Sequence, residues 1–247
     1  MEETKNAAAL IINRQPYREY DSLVTVYTPG FGKLKLLARG TQKLKSKLAG
    51  HLEPLTLADI MIVSGKGFDY IGAALSREIY RRIREDLNKL YFAGQGLQIF
   101  ERLVKESQAD RSLFFLVTDW LQAINDHSAF VKESGELLLA AFIFKFLAEL
   151  GYKPRLFECL VCGQPVKPGK NYFNLAGGGL LCESCQAGKK LSADTAGADS
   201  LAISDNCLKI LRFIMDNKLE RSEKINIDKK LVKELSVLAA KFIQYHF

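Results

Sequence analysis

Four of the chain's five cysteines lie in two Cys-x-x-Cys pairs, Cys159 with Cys162 and Cys182 with Cys185. A Cys-x-x-Cys turn presents two thiolates to one tetrahedral metal ion, and a second such turn completes the coordination shell. Residues 163–181 separate the two pairs, a spacing within the range expected of a structural zinc site. Because four cysteines leave no coordination position for water, the pattern favours one structural Zn²⁺ over a catalytic ion.

Two disulfides, or simple buried thiols, are the alternative interpretations of these cysteines. The chain opens acidic, and the apolar run Ala7–Ile12 is too short for a secretory signal, so we expect a cytoplasmic protein with reduced thiols and a bound zinc ion. The ion is expected to stabilise a loop-rich segment at about 157–187 that has too few apolar residues to fold alone. Cys207 stands in a periodic apolar segment and is predicted to be a buried thiol.

Length and composition predict a globular protein with a sizeable core, because the chain has 247 residues and 48% of them are hydrophobic. The longest apolar run, Leu137–Leu147, is interrupted by Lys145 and falls short of the roughly 20 residues that span a bilayer. We therefore expect a soluble protein. The net charge of +7 and the pI near 9.1 favour a polyanionic partner, although a moderate basic excess can also serve only to keep a protein dispersed.

The basic residues are concentrated in the stretch from Ser22 to Leu52, which contains no acidic residue. Its candidate DNA-binding residues are Lys33, Lys35, Arg39, Lys43, Lys45 and Lys47. The alternation in residues 33–36 predicts a strand with both lysines on one face and the leucines on the other. Residues 41–47 indicate a polar, mobile loop, whose lysines can follow a phosphate backbone and supply affinity more than sequence specificity. A merely solvated basic face is the alternative.

The first 79 residues predict a small β-barrel. Alternating or β-rich runs, separated by glycine and proline, are Ala8–Asn13, Leu23–Thr28, Gly32–Ala38, Leu55–Val63 and Tyr70–Leu75. Five such strands suit the OB-fold, which binds single strands with one face and its loops. The aromatic residues that can stack on bases are Tyr17, Tyr20, Tyr27, Phe31, Phe68 and Tyr70. Because most aromatic side chains of a small barrel lie in its core, we expect only one or two to touch a base.

From Arg77 onward the apolar spacing of three to four residues predicts helices. They are expected around 81–103, 113–124, 136–150, 204–215 and after Asp228, with the cysteine module inserted among them. The predicted architecture is therefore α+β in two domains, an OB-fold at 1–79 and a helical domain at 80–247. The basic pairs Lys189-Lys190 and Lys229-Lys230 are expected to be exposed charges on polar faces.

Catalysis is not indicated by the remaining residues. No Gly-x-x-x-x-Gly-Lys-Ser/Thr phosphate loop occurs, and the glycine run 177–179 is not followed by lysine. The three histidines are scattered without a nearby nucleophile pattern, and the acidic pair Glu85-Asp86 is predicted to be solvated on a helix. The sequence therefore favours a binding protein over an enzyme.

Two blocks of residues resemble a known family. The first runs through Tyr17–Leu23 (YREYDSL) and Thr28–Lys33 (TPGFGK) and continues with Gly40, the following lysines and Leu52-Glu53-Pro54. The second comprises Phe146–Pro154 (FLAELGYKP), Cys159–Gly163 (CLVCG) and Gly178–Cys185 (GGLLCESC). In this order they resemble the RecO family of bacterial recombination mediators across most of the chain.

The resemblance implies an N-terminal OB-fold, a helical domain and an inserted four-cysteine zinc module. It further implies binding of single- and double-stranded DNA, annealing of complementary strands, and assistance to the RecA recombinase in replacing single-strand DNA-binding protein. These activities are expected to require RecR and the acidic, apolar C-terminal tail of the single-strand-binding protein, without nucleotide hydrolysis, in the nucleoid of the bacterial cytoplasm. A non-enzymatic, zinc-containing interaction scaffold and an RNA-binding factor are the alternative functions.

Overall fold

The computed structural model describes residues 4–188, 199–219 and 228–247 and divides the chain into two compact units, Met1–Asp126 and His127–Phe247. The first unit begins with five strands. They are β1 (Thr4–Tyr17), β2 (Asp21–Thr28), β3 (Gly32–Ala38), β4 (Thr56–Val63) and β5 (Tyr70–Glu78), with a 3-10 turn at Ala49–His51 before β4. The strands form a closed barrel in the order β1-β2-β3-β5-β4. This confirms the predicted five-stranded, OB-like barrel.

Strand β1 closes the barrel because it is long enough to serve two neighbours. Its residues 4–11 pair antiparallel with β4, and residues 10–17 pair antiparallel with β2. A register shift between Ile11 and Asn13 bends the strand where the two ladders overlap. On β3, Leu34 and Leu36 pack into the barrel core, whereas Lys33 and Lys35 lie on the other face, as the alternation predicts.

Three helices belong to the same compact unit as the barrel: α1 (Arg81–Arg84), α2 (Leu87–Leu103) and α3 (Arg111–Asp126). Asp86 caps α2 by accepting hydrogen bonds from two backbone amides. The ring of Tyr27, on β2, contacts Phe100 of α2 edge-on, with 4.9 Å between ring centroids. The domain limits 1–79 and 80–247 stay a prediction, since the end of β5 does not coincide with the division between compact units.

The described part of the second unit, which omits residues 189–198 and 220–227, contains three long helices and a small sheet. The helices are α4 (Lys132–Glu149), α6 (Asp205–Asp216) and α7 (Lys229–His246), with a short helix α5 (Glu183–Ala187). The strands are β6 (Arg155–Cys159), β7 (Asn171–Asn174), β8 (Gly179–Cys182) and β9 (Ser200–Ile203), in the order β6-β8-β7-β9. This confirms a helical domain that carries an inserted four-cysteine module.

The module is a sheet and not only loops, because the residues between its cysteine pairs form a hairpin. Phe173 on β7 and Leu180 on β8 are fully buried, and the ring of Phe173 packs against Phe144 of α4 and Phe242 of α7. The apolar pairs Tyr172-Phe173 and Leu180-Leu181, on either side of the glycine run, were the sequence signal for these strands. In the parts of the chain that the structure covers, no helix is both long and apolar enough to cross a membrane.

We predict opposite effects of alanine at two glycines of α2. A Cβ at Gly96 would lie 2.6 Å from Cζ3 of the buried Trp120, so Gly96→Ala should destabilise the protein by about 1–3 kcal/mol. Gly94 is the matched control, because a Cβ there meets nothing within 4 Å and Gly94→Ala should stabilise by about 0.5–1 kcal/mol. Urea unfolding of both variants measures the difference, and equal midpoints would contradict the close packing at Gly96.

Candidate metal centre and nucleic-acid surface

The four cysteines of the two pairs converge on one point of the second unit. Cys159 ends β6 and Cys162 lies in the turn after it, whereas Cys182 ends β8 and Cys185 lies in α5. All four Sγ atoms lie within 4.8 Å of one another. The first turn closes through the Gly163 amide, which donates to the Cys159 carbonyl at 3.0 Å, and Gly163 adopts φ +69°, which suits glycine.

The spacing of the sulfur atoms fits one tetrahedral ion. With metal–sulfur bonds of about 2.3 Å, the sulfurs of a tetrahedral zinc site lie about 3.8 Å apart. The Sγ atoms of Cys162 and Cys182 are separated by 3.9 Å. Four thiolates occupy every tetrahedral position, so the cluster can bind one metal ion in a closed, structural shell.

The groups around Cys159 and Cys182 lower the pKa values of these two thiols and so favour their thiolate forms. A hydrogen bond from the Ser184 hydroxyl lowers the pKa of Cys182 to about 6. Burial raises the pKa of Cys159, but hydrogen bonds from backbone amides, among them that of Cys182 at 3.5 Å, lower it more. Loss of hydration and the neighbouring sulfurs raise the pKa of Cys185 to about 12. The four thiols therefore cannot all ionise together unless a cation lies among them.

The sheet of the module is also attached to helix α6. The Arg212 guanidinium donates two hydrogen bonds to the Leu156 carbonyl, at 2.9 and 2.7 Å, and lies over the ring of Phe157. The Asp205 carboxylate accepts from the Gly169 amide at 3.1 Å. Cys207 is fully buried on the same helix, and burial raises its pKa to about 12, as expected of a thiol outside the metal cluster.

The candidate DNA-binding residues fall into two groups in the first unit. Lys33 and Lys35 face the C-terminal end of α2 and the turn after it. The Lys33 ammonium donates to the Glu101 carbonyl at 2.8 Å, and Lys35 forms an ion pair of 3.1 Å with Glu106. These two lysines already have protein partners.

The other four candidates, Arg39, Lys43, Lys45 and Lys47, lie in or next to the segment after β3 and are all exposed. Among the described residues, none of the four forms an ion pair with a carboxylate. We call residues 39–48 the basic loop. Leu44, between two of the lysines, is completely exposed. The basic loop therefore presents cations to solvent at one end of the barrel.

Arg14, on β1, anchors the base of this loop and was not singled out from the sequence. Its guanidinium donates to the carbonyls of Thr41 and Ala49, both at 3.1 Å, and pairs with the Glu53 carboxylate at 2.5 Å. The Thr41 hydroxyl is buried and donates to Ser22 at 2.8 Å. The loop expected to be mobile is thus attached at its base, while its lysine side chains project outward.

Of the six aromatic residues predicted as candidates for base stacking, two are packed in the barrel and four lie at one of its ends. Tyr27 is fully buried, and Phe31 packs against the barrel core. The other four, Tyr17, Tyr20, Phe68 and Tyr70, lie at the end of the barrel that carries the basic loop. Tyr20 is 47% exposed and Phe68 is 44% exposed.

The second unit has a surface groove and carries the basic pair Lys229-Lys230. A groove of about 400 Å³ between β9 and α7 has an apolar lining of Leu201, Ala202, Ile203, Val237 and Leu238, joined by Lys230, Lys233 and Glu234. Its neighbour Lys229 pairs with Glu133 at 2.7 Å. Lys189 and Lys190 lie outside the described residues. The groove could not be found from sequence, because it depends on how a strand and a helix pack.

Two of the histidines have structural partners. Nδ1 of His51 accepts the Ser76 backbone amide at 3.2 Å, and Nε2 of His246 lies 3.0 Å from the Leu175 carbonyl. Nδ1 of His51 also lies 3.0 Å from the Ser76 hydroxyl, and the two histidines belong to different compact units.

Comparison with known proteins gives matches along nearly the whole chain. The family models for the N-terminal and C-terminal parts of recombination protein O match residues 1–80 and 84–247. DNA repair protein RecO of Roseiflexus sp. strain RS-1 is 31% identical over 239 residues, which cover 96% of this chain and 79% of that protein. The RecO proteins of Syntrophomonas wolfei and Alkaliphilus metalliredigens are 30% and 27% identical and cover 92% and 96% of this chain, and 85% and 91% of their own lengths.

We predict that Cys159→Ser and Cys182→Ser each lose the metal ion and destabilise the second unit by about 4 kcal/mol or more, because the remaining thiolates cannot complete the shell. Metal analysis by plasma mass spectrometry and thermal unfolding measure both effects. Cys207→Ala is the control, since this buried thiol lies outside the cluster and its loss should leave the metal in place. A serine variant that melts like the parent would contradict the structural role of the site.

Proposed function

Because the chain belongs to the RecO family of recombination mediators in DNA repair, we propose that it binds single- and double-stranded DNA and anneals complementary strands. We further propose that, together with RecR, it helps RecA to replace single-strand DNA-binding protein. The family consists of non-enzymatic mediators, which confirms that the chain is not an enzyme. The proposed place of action is the nucleoid of the bacterial cytoplasm.

The basic loop is the observation that carries the proposed DNA binding. Arg39, Lys43, Lys45 and Lys47 are exposed, and no acidic residue occurs between Ser22 and Leu52 to neutralise them. Cations on exposed side chains bind phosphates by releasing condensed counterions, and this contribution does not depend on base sequence. The loop therefore has the chemistry of a backbone contact that both single and double strands can use.

Strand annealing follows from the same charges. Two complementary strands repel each other through their phosphates, and screening by counterions or by protein cations lowers that repulsion. Lysines on a loop with an anchored base can contact phosphates of either strand, because the ammonium groups impose little geometry. We propose that this shielding is how the protein brings two single strands together without hydrolysing a nucleotide.

We propose that one Zn²⁺ bound by Cys159, Cys162, Cys182 and Cys185 has a structural role. Zinc suits a four-thiolate tetrahedral site, and its binding free energy stabilises only the folded state. Strand β8, which ends at Cys182, also carries the buried Leu180, and it pairs with β7, which carries the buried Phe173. Loss of zinc is therefore expected to affect DNA binding only through the stability of the fold.

The groove between β9 and α7 is a candidate site for the acidic, apolar tail of single-strand DNA-binding protein. Its apolar lining can bury hydrophobic side chains, and Lys230 and Lys233 can pair with acidic ones. Glu234 is already engaged, because its carboxylate accepts from the amide and hydroxyl of Ser204 at 2.7 and 2.8 Å. The lysines therefore dominate the charge available to a bound peptide.

We predict that neutralising three lysines of the basic loop, in Lys43→Gln/Lys45→Gln/Lys47→Gln, slows annealing. The test uses fluorescence energy transfer between complementary oligonucleotides, bare or coated with single-strand DNA-binding protein, without nucleotide. If the basic loop supplies four phosphate contacts, the log–log salt slope of single-strand binding should be about −3, and the triple variant should reduce its magnitude by about 2.

Lys33→Gln/Lys35→Gln is the matched control on the same barrel. These lysines contact Glu101 and Glu106 and should leave the salt slope nearly unchanged. If all six candidates contact phosphates instead, the log–log salt slope of the unaltered protein should be about −4. The double variant should then reduce the magnitude of that slope by more than about 1. No acceleration of annealing by the folded, metal-loaded protein would favour a protein-interaction scaffold, and stronger binding of RNA than DNA would favour an RNA-binding factor.

We predict that charge reversal at the groove, in Lys233→Glu, weakens binding of a synthetic acidic tail peptide at least tenfold by adding repulsion where the peptide carboxylates lie. Fluorescence anisotropy of the labelled peptide measures the change. Lys241→Glu, an exposed position on the same helix that does not line the groove, is the control. Equal peptide affinities for both variants would show that the tail binds elsewhere.

A further inference from the structure

Aromatic and basic side chains alternate on one continuous surface at the end of the barrel. We call this surface the aromatic rim, and its members are Tyr17, Arg18, Tyr20, Arg39, Lys43, Phe68 and Tyr70. Backbone contacts connect the segments that carry them. The Gln42 amide donates to the Tyr20 carbonyl at 3.0 Å, and the Leu37 amide donates to the Asp69 carbonyl at 2.9 Å.

Three of the four aromatic rings have a cation over one face. The Arg18 guanidinium lies 5.2 Å from the centroid of Tyr17, Arg39 lies 4.7 Å from Tyr70, and the Lys43 ammonium lies 5.3 Å from Tyr20. Arg18 has a left-handed backbone with φ 57°, in the tight turn between β1 and β2. Such contacts hold long basic side chains close to the rings without neutralising their charge.

Two acidic side chains close in sequence to the rim, Asp21 and Asp69, are directed to backbone amides. The Asp21 carboxylate accepts the Gly40 amide at 2.8 Å, and the Asp69 carboxylate accepts the Gly65 amide at 3.1 Å. Glu19 is hydrogen-bonded to the Tyr20 hydroxyl, which raises the pKa of that tyrosine. In the part of the chain that the structure describes, the three basic members of the rim form no ion pair with a carboxylate. Their charges are therefore available to an anion.

Phe68 differs from the other rim aromatics. Its ring contacts Tyr17 edge to face, with centroids 5.9 Å apart and planes at 77°, so this contact covers at most one face. In the part of the chain that the structure describes, no cation lies over the Phe68 ring, and 44% of this residue is exposed. It projects from the loop 64–69, whose path is set by the bond between Asp69 and the Gly65 amide. Phe68 therefore presents a half-exposed aromatic ring with an uncovered face next to Tyr17, whose own ring carries a cation.

We propose that Phe68 is a platform on which an unpaired base of single-stranded DNA stacks, while Arg18 and Arg39 contact the phosphates on either side. This inference rests on the proposed DNA-binding function and adds a site that distinguishes single from double strands. In a duplex each base is already stacked between its neighbours and its face is inaccessible, so only an unpaired base can use the ring. The basic loop, by contrast, contacts phosphates in both forms.

Stacking on Phe68 is also compatible with annealing. The ring binds the face of a base, and the edge that carries the pairing groups stays exposed. A strand held in this way can therefore meet its complement while it is still bound. Once the bases pair and stack on one another, the platform loses its ligand, which favours release of the duplex from this site.

The test compares the unaltered protein with Phe68→Ala and Phe68→Tyr by fluorescence anisotropy. The three probes are a labelled thymidine oligonucleotide, an oligonucleotide of the same length with abasic sugars throughout, and a blunt duplex. Phe68→Ala should weaken binding of the thymidine oligonucleotide by about 5- to 150-fold, the range measured for loss of one stacked base. Phe68→Tyr keeps the aromatic face and should bind the thymidine oligonucleotide like the unaltered protein.

The abasic and duplex probes separate stacking from a general defect in the fold. Equal affinities of Phe68→Ala and the unaltered protein for both of these probes would support the platform. An equal loss on all three probes, or no loss on the thymidine oligonucleotide, would overturn it. If the unaltered protein binds none of the probes, the proposed DNA-binding function is itself wrong. If the unaltered protein binds the probes but Phe68→Ala binds the thymidine oligonucleotide with the same affinity, only the proposed stacking site is wrong.

Discussion

The double pairing of β1 is the constraint on which the barrel and its binding surface depend. One strand forms antiparallel ladders with β4 along its first half and with β2 along its second half, and a register shift near Ile11 bends it between them. Closure of the ring removes free strand edges, so binding must use loops and outer side chains. The same closure brings the turn after β1, the basic loop and the loop before β5 to one end of the barrel.

Within that end of the barrel, buried polar contacts hold the backbone while the functional side chains project. Arg14 satisfies two loop carbonyls and Glu53, and Thr41 is buried against Ser22. These bonds order the loop base, so binding of DNA does not have to order it. The lysine side chains are exposed, so their charges can meet a phosphate backbone of variable geometry. An ordered base with exposed cations is consistent with binding that ignores base sequence.

The second unit depends on two anchors at its small sheet. Strands of four residues are too short to be stable alone, and β7, β8 and β9 each have four. The thiolate cluster joins the ends of β6 and β8, and Phe173 packs between the long helices through Phe144 and Phe242. The cysteine cluster and the aromatic core therefore hold the same small sheet at different positions. A metal ion bound by the four thiolates would have a structural role, because no ligand position would be left for a substrate.

Local patterns of residues were enough to establish the two cysteine pairs, the alternation of Lys33–Leu36, the helical spacing of the C-terminal part and the cluster of basic residues. The family resemblance was also recognisable from the sequence, because its motifs are contiguous runs of residues. The folded chain was needed to show which candidate side chains are available for binding. Lys33 is engaged by a carbonyl 68 residues away, Tyr27 is buried against α2, and Phe68 is left half exposed. Such outcomes depend on contacts between distant segments, and the spacing of neighbouring residues does not specify which distant segment covers an outward-facing side chain.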